Sequence, residues 1–153
     1  MIPLSSKFSA TEYELFIVPK KTINAVMIKN FLIINFTGKN DSIGLRVSNN
    51  FFIKKISNNI RNKTLLVNKI FEFVEEKNVN IDKNFSVIVN IGPGSFSGIR
   101  ISIAIAKGIR IAKGIKMYGY KGTDLAEFKL KNIELLLKKN LIENNLIKPI
   151  YLS

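Results

Sequence analysis

The sequence contains no cysteine, no histidine and no tryptophan. Each absence removes a class of chemistry. Without cysteine there is no disulfide framework, no thiol nucleophile and no thiolate metal site. Without histidine there is no Ser-His-Asp triad, no imidazole base and none of the usual zinc or facial-triad iron sites. A carboxylate-only magnesium site stays open. Acidic residues are also scarce: 11 Asp and Glu stand against 24 Lys and Arg, a formal net charge of +13. That excess attracts phosphate backbones and acidic partners. Lys, Ile and Asn dominate together, and these are the residues of A/T-rich codons. Codon bias is therefore an equal source for the charge.

Long hydrophobic runs are missing as well. None reaches the ~18 apolar residues of a membrane-spanning helix. The most apolar stretch, Ile99 to Ala112, is interrupted by Arg100, Lys107 and Arg110. The opening MIPLSSKFSATEYELF lacks the apolar core and small-residue cleavage site of a secretory signal. The expectation is a cytoplasmic protein without a membrane partner. The 153 residues are 46% hydrophobic and 23% charged, the composition of one globular domain. A chain of this size buries roughly 70% of the surface exposed when unfolded.

The segment 1–26 has no clean period and carries Pro3, Pro19 and Lys20-Lys21. A strong strand pattern follows Met27 at once. Either Met27 is the natural start, or residues 1–26 are a loosely docked extension. Three strands are expected over Phe31–Phe36, Ser42–Val47 and Phe51–Ile56, joined by turns at Thr37–Asp41 and Asn49-Asn50, which makes an antiparallel meander. A helix follows over about Lys63–Lys77, with Leu65, Leu66, Ile70, Phe73 and Val74 as its apolar face. Phe85–Ile91 reads as a central strand, Ser97–Lys113 as a second helix ended by Gly114, and Ile115–Tyr120 as a fifth strand. Thr123 is expected to cap a third helix, with Asp124 and Glu127 in its first turn, and Asn132–Asn145 reads as a basic helical tail. The order β-β-β-α-β-α-β-α predicts an α/β fold with a mixed sheet and flanking helices. It matches the ribonuclease-H-like architecture of the actin-like (ASKHA) proteins. The expected organisation is an extension at 1–26, a lobe at 27–128 and a tail at 129–153, the remnant of a second lobe.

The turn Gly92-Pro93-Gly94-Ser95-Phe96-Ser97-Gly98 joins a buried strand to a helix. Its glycines permit positive φ and close backbone approach, and Ser95 or Ser97 is placed to cap the helix. Free amides at a helix start could hold a phosphate. The turn is not a Walker A loop, because no Lys-Ser/Thr pair follows the last glycine. Ser95 as a nucleophile lacks a base. The helix that follows has isoleucines around most of its circumference, so it should be covered on nearly all sides. Gly98, Ser102 and Ala106 recur every four residues, as do Ala104, Gly108 and Ala112. Packing on the first helix and packing on a partner protein both account for this.

Asn90-Ile-Gly-Pro-Gly-Ser-Phe-Ser-Gly-Ile-Arg-Ile101 resembles the signature of the TsaB (YeaZ) family of bacterial tRNA threonylcarbamoyladenosine biosynthesis proteins. That family reads Gly-Pro-Gly-Ser-Phe-Thr-Gly-Leu-Arg-Ile-Gly after a hydrophobic strand. Here Ser97, Ile99 and Ser102 stand for its Thr, Leu and Gly. Ala106-Lys-Gly108, Tyr118-Gly-Tyr120, Thr123-Asp-Leu-Ala126 and Pro149-Ile-Tyr-Leu152 are similar to the family's continuation and ending. The first strand ends in Asn35-Phe36-Thr37 where the family has Asp-Thr-Ser, and Asn62 stands near the place of a usual histidine. The missing acid argues against nucleotide-bound metal there and against a two-metal nuclease.

The resemblance implies a non-catalytic scaffold with no cofactor. Its partner would be a TsaD-like paralogue that modifies the adenosine beside the anticodon of ANN-reading tRNAs, joined by a TsaE-like ATPase. A homodimer is also implied, and tRNA would be met through the complex. In the family the two helices of the first lobe make the pairing face. Here that places Leu65, Leu66, Ile70, Phe73, Gly98, Arg100, Ser102, Ile105, Ala106 and Ile109 at the interface, and an arginine at Ser102 is expected to abolish pairing without harming the fold. The alternatives are an actin-like nucleotide-binding phosphotransferase, a basic RNA-binding module using Lys129 to Lys148, and a degenerate relic.

Overall fold

A computed structural model describes residues 28–57, 63–139, 142–143 and 147–151. The proposed extension at 1–26, Met27 and Asn62 lie outside the described residues.

Six strands form one mixed sheet. They are β1 (Asn30–Asn35), β2 (Ser42–Val47), β3 (Asn50–Lys55), β4 (Phe85–Asn90), β5 (Lys116–Tyr120) and β6 (Ile142–Glu143). Their order is β3-β2-β1-β4-β5-β6. The first three run antiparallel, with Ile33 opposite Gly44 and Gly44 opposite Ile53. β1, β4 and β5 are parallel, with Ile33 opposite Ile88 and Ile88 opposite Tyr118. β6 closes antiparallel on β5. A meander leading into parallel strands is the ribonuclease-H-like arrangement that the element order predicts.

Strand side chains alternate between the two faces of the sheet. Leu32, Ile34, Val87, Val89 and Met117 point to one face and meet α1 (Lys63–Glu76) and α2 (Phe96–Lys113). Phe31, Ile33, Ile88, Tyr118 and Tyr120 point to the other and meet Ile133, Leu136 and Leu137 of α3 (Leu130–Lys138). β1 and β4 are covered on both sides, hence their nearly unbroken apolar sequences. An Arg46–Glu134 ion pair of 2.8 Å ties β2 to α3.

The elements from β1 to β5 fall within a residue of their sequence expectations, and two later expectations fail. Thr123 caps no α-helix: Gly122–Asp124 is a single 3-10 turn without a side-chain cap. The tail is not one helix over Asn132–Asn145. Helix α3 starts at Leu130 and stops at Lys138, and Ile142–Glu143 is a strand. Tertiary packing decides both. Leu125 and Phe128 pack against the core beside α3, which holds the chain from Leu125 to Lys129 out of a helix. An open edge of β5 takes Ile142 opposite Tyr120. The described residues 129–139, 142–143 and 147–151 thus add a helix, a strand and a closing segment that pack on the sheet.

Candidate functional site

Two surfaces carry the sequence-predicted features: a cleft at the C-terminal ends of the parallel strands, and the outward side of α1 and α2.

The cleft is built on a polar knot. The Asn90 side chain donates to Asn35 Oδ1 at 2.6 Å and accepts from the Gly92 N–H at 2.8 Å. Tyr120 OH donates to the same Asn35 oxygen at 3.3 Å. Burial pushes the Tyr120 phenol well above its ordinary range, opposed in part by the Asn90 side chain. Asn35 therefore ties β1 to β4 and β5 where an aspartate would offer a charged oxygen to a metal. The acid next along, Asp41, is buried and committed to its own turn: it accepts from the Thr37 and Gly38 N–H groups at 2.9 Å each. Burial raises its carboxyl above the ordinary 3.8, and the backbone N–H groups of Gly38, Thr37 and Lys39 pull the other way. The cleft above holds about 700 Å³, with Lys39, Lys55 and Lys129 at its rim and Glu127 beside them. No cluster of three acidic, histidine or cysteine side chains able to hold a metal exists among the described residues. Among the described residues the cleft has an amide floor of Asn35 and Asn90 under a rim of three lysines, with Glu127 as the one acid in its lining.

The glycine-rich turn leads from this cleft to α2. Ser95 caps the helix by accepting from the Gly98 N–H at 3.2 Å, and its own N–H donates to Thr37 O at 2.9 Å. Ser97, the other cap candidate, is exposed. Gly98 lies against the end of β1, where a Cβ would come within 2.9 Å of Phe36 O. Gly92 has φ +110, and a Cβ there would collide with the Ile150 carbonyl oxygen. The reason is the C-terminal segment. Ile150 N–H donates to Ile91 O at 2.6 Å, Tyr151 bridges to Gly94, and the Tyr151 ring packs on Phe96 at 4.7 Å between centroids. Arg100 lies over the other partner in that pair, 4.9 Å from the Phe96 centroid.

Burial divides the expected pairing face. Leu66, Ile70 and Phe73 of α1 and Gly98, Ser102, Ala106 and Ile109 of α2 are buried in this chain's own core. They fill the layer between helices and sheet and are not available to a partner, which corrects their assignment. Ser102 donates to Gly98 O at 2.8 Å in a fully buried position. An arginine there would damage the fold, contrary to the sequence expectation. Leu65 and Arg100 are exposed and Ile105 is half-buried.

The two small-residue tracks separate cleanly. Gly98, Ser102 and Ala106 face inward, where small side chains let α2 lie close to the sheet. Ala104, Gly108 and Ala112 face outward. The outward side also shows Ile111 (75% exposed), Phe96 (57%) and, on α1, Phe71 (49%). Between the helices runs a shallow groove of about 360 Å³, where Val67 of α1 meets Ile101, Ala104 and Ile105 of α2. Phe71 continues this line one turn beyond Val67. Val67 and Phe71 lie outside the apolar face that the sequence predicts for α1. Their signal was the apolar pair at i and i+4 outside the main stripe of α1. No helix among the described residues is long and apolar enough to cross a membrane.

No protein-family model and no curated protein matches the chain. Among solved structures it is similar to YeaZ from Pseudomonas aeruginosa, at 20% identity and TM-score 0.55, over 64% of this chain and 45% of that one. It is likewise similar to an uncharacterized protein with similarity to peptidase YEAZ from the same organism, at 20% identity and TM-score 0.53, over 64% and 44%. The chain spans less than half the length of these structures. At this identity the likeness carries the fold: the sheet and its flanking helices have the actin-like, ribonuclease-H-like architecture of YeaZ.

Proposed function

We propose that the chain is a non-catalytic scaffold subunit that pairs with a TsaD-like paralogue in threonylcarbamoyladenosine modification of ANN-reading tRNAs. The observation that carries this reading is the outward side of α1 and α2. Its inward side already fills the core, yet Val67, Phe71, Ile101, Ala104 and Ile111 remain exposed or half-buried beside a groove. A large exposed apolar patch marks an interaction site. The YeaZ-like fold and the Asn90–Ile101 sequence support the choice of partner. The partner supplies the chemistry, a TsaE-like ATPase joins the pair, and tRNA is met through the assembly, in the cytoplasm. The phosphotransferase alternative has less support. The place of the β1 carboxylate that it needs is held by the amide of Asn35, whose oxygen is spent on Asn90 and Tyr120. Co-expression with the TsaD-like paralogue of the same genome, followed by size-exclusion chromatography, tests the proposal. A co-eluting complex supports it, and separate elution refutes it.

A further inference from the structure

We propose that the surface seated on α2 is acidic: it sets two carboxylates about two helical turns apart against Arg100 and Lys107, beside an apolar ridge that enters the α1–α2 groove. This inference rests on the pairing reading and specifies the chemistry of the partner.

Helix α2 carries Arg100, Lys107, Arg110 and Lys113 and no acid. All four are exposed, and none forms an ion pair among the described residues. The acids of the neighbouring helix, Glu72, Glu75 and Glu76 of α1, do not reach them. Lys107, Arg110 and Lys113 follow at intervals of three, where like charges on a helix repel. Only Arg110 and Lys113 sit in the last turn, where the helix dipole offsets that repulsion. Lys107 lacks this compensation, and Arg100 lies near the N-terminal end of α2, where the dipole disfavours a cation.

Arg100, Ala104, Lys107 and Ile111 follow at spacings of four, three and four residues, so they share one side of the helix. Seven residues place the two cations about 10 Å apart along the axis. An apolar surface between them, with the groove alongside, suits an amphipathic protein element. A nucleic-acid backbone would leave Ile111 and Ala104 uncovered.

Arg100 is held over the Phe96 ring, and Phe96 is backed by Tyr151. An arginine resting on the Phe96 ring beside the groove loses less freedom on pairing, and arginine and aromatic side chains are typical anchors of interfaces.

The test measures association with the TsaD-like paralogue for the wild type and for Arg100→Glu/Lys107→Glu, at about 50 and 300 mM salt. Circular dichroism melts confirm that the variant folds. The expected result is wild-type affinity that falls at least about tenfold with salt, and a variant weakened by at least about tenfold at low salt. Wild-type pairing that ignores both salt and charge reversal would overturn the acidic partner and leave the pairing reading intact. No pairing under any condition would overturn both. Loss of binding to a tRNA transcript by the folded variant, with pairing unchanged, would overturn the inference by assigning the cations to RNA.

Discussion

An arginine introduced at Ser102 and, separately, at Ala104 places the same side chain two residues apart on opposite sides of α2. Ser102 is fully buried among Ile99, Ile103 and Ala106, and its hydroxyl donates to Gly98 O. Losing that bond costs about 1 kcal/mol. The larger cost is the guanidinium, which meets no carboxylate and either stays buried or lifts α2 from the sheet. An unpaired buried charge costs at least about 3 kcal/mol. The sum, about 4 kcal/mol or more, is a large share of a total stability of about 5–15 kcal/mol. Ala104 points to solvent, and an exposed substitution stays within about 0.5 kcal/mol. At about 2–4 °C per kcal/mol for a chain of this length, Ser102→Arg should lower Tm by about 10 °C or more, or prevent folding. Ala104→Arg should stay within about 2 °C. Thermal melts followed by circular dichroism decide the matter. Equal losses at the two positions would refute the assignment of inward and outward sides on which the docking surface depends.

Three further outcomes follow from the geometry. Gly92→Ala puts a Cβ into the Ile150 carbonyl at a positive φ, so backbone strain of about 1–3 kcal/mol and release of the C-terminal segment should appear in urea denaturation; unchanged stability would contradict the seating of that segment. Gly108→Ala meets nothing within 4 Å on the exposed side of α2 and should stabilise the free chain by about 0.8–1.0 kcal/mol; a loss would show hidden contact there. Asp41 has a folded-state pKa raised by burial, so the folded state binds its proton more tightly than the unfolded state. Its contribution to stability should therefore fall as pH rises from about 3.8 through the raised value, and Asp41→Asn, which retains the acceptor oxygen, should remove that component. Wild-type and variant denaturation curves that keep a constant separation across this range would contradict it.

The sheet was legible because its strands obey local rules. β1 and β4 are nearly continuous apolar runs, and the turn after β1 announces itself with Gly38 and Asp41. The last third was not legible, because tertiary contacts overrode local preference. Thr123 and Asp124 resemble a helix start, but the packing of Leu125 and Phe128 ends the turn after three residues. Ile142 joins a sheet edge that no local pattern reveals. For the candidate site, the isoleucine and small-residue pattern of α2 was plain in the sequence, while the rotation of the helix was not. Its isoleucines lie on all sides, so apolarity alone does not phase it. The cations do: Arg100 and Lys107 mark the outward side, which leaves Ser102, Ala106 and Ile109 inward. The polar knot of Asn35, Asn90 and Tyr120 joins three strands and has no sequence-local signature.

On the pairing reading, α2 offers its Ala104 side to a TsaD-like partner. The most direct measurement is isothermal titration of that paralogue with the wild-type chain and with Ala104→Arg, after melts have shown the variant folded. The expected result is binding by the wild type and at least about a hundredfold loss, about 2.7 kcal/mol, in the variant. Equal affinity for the two chains would contradict it.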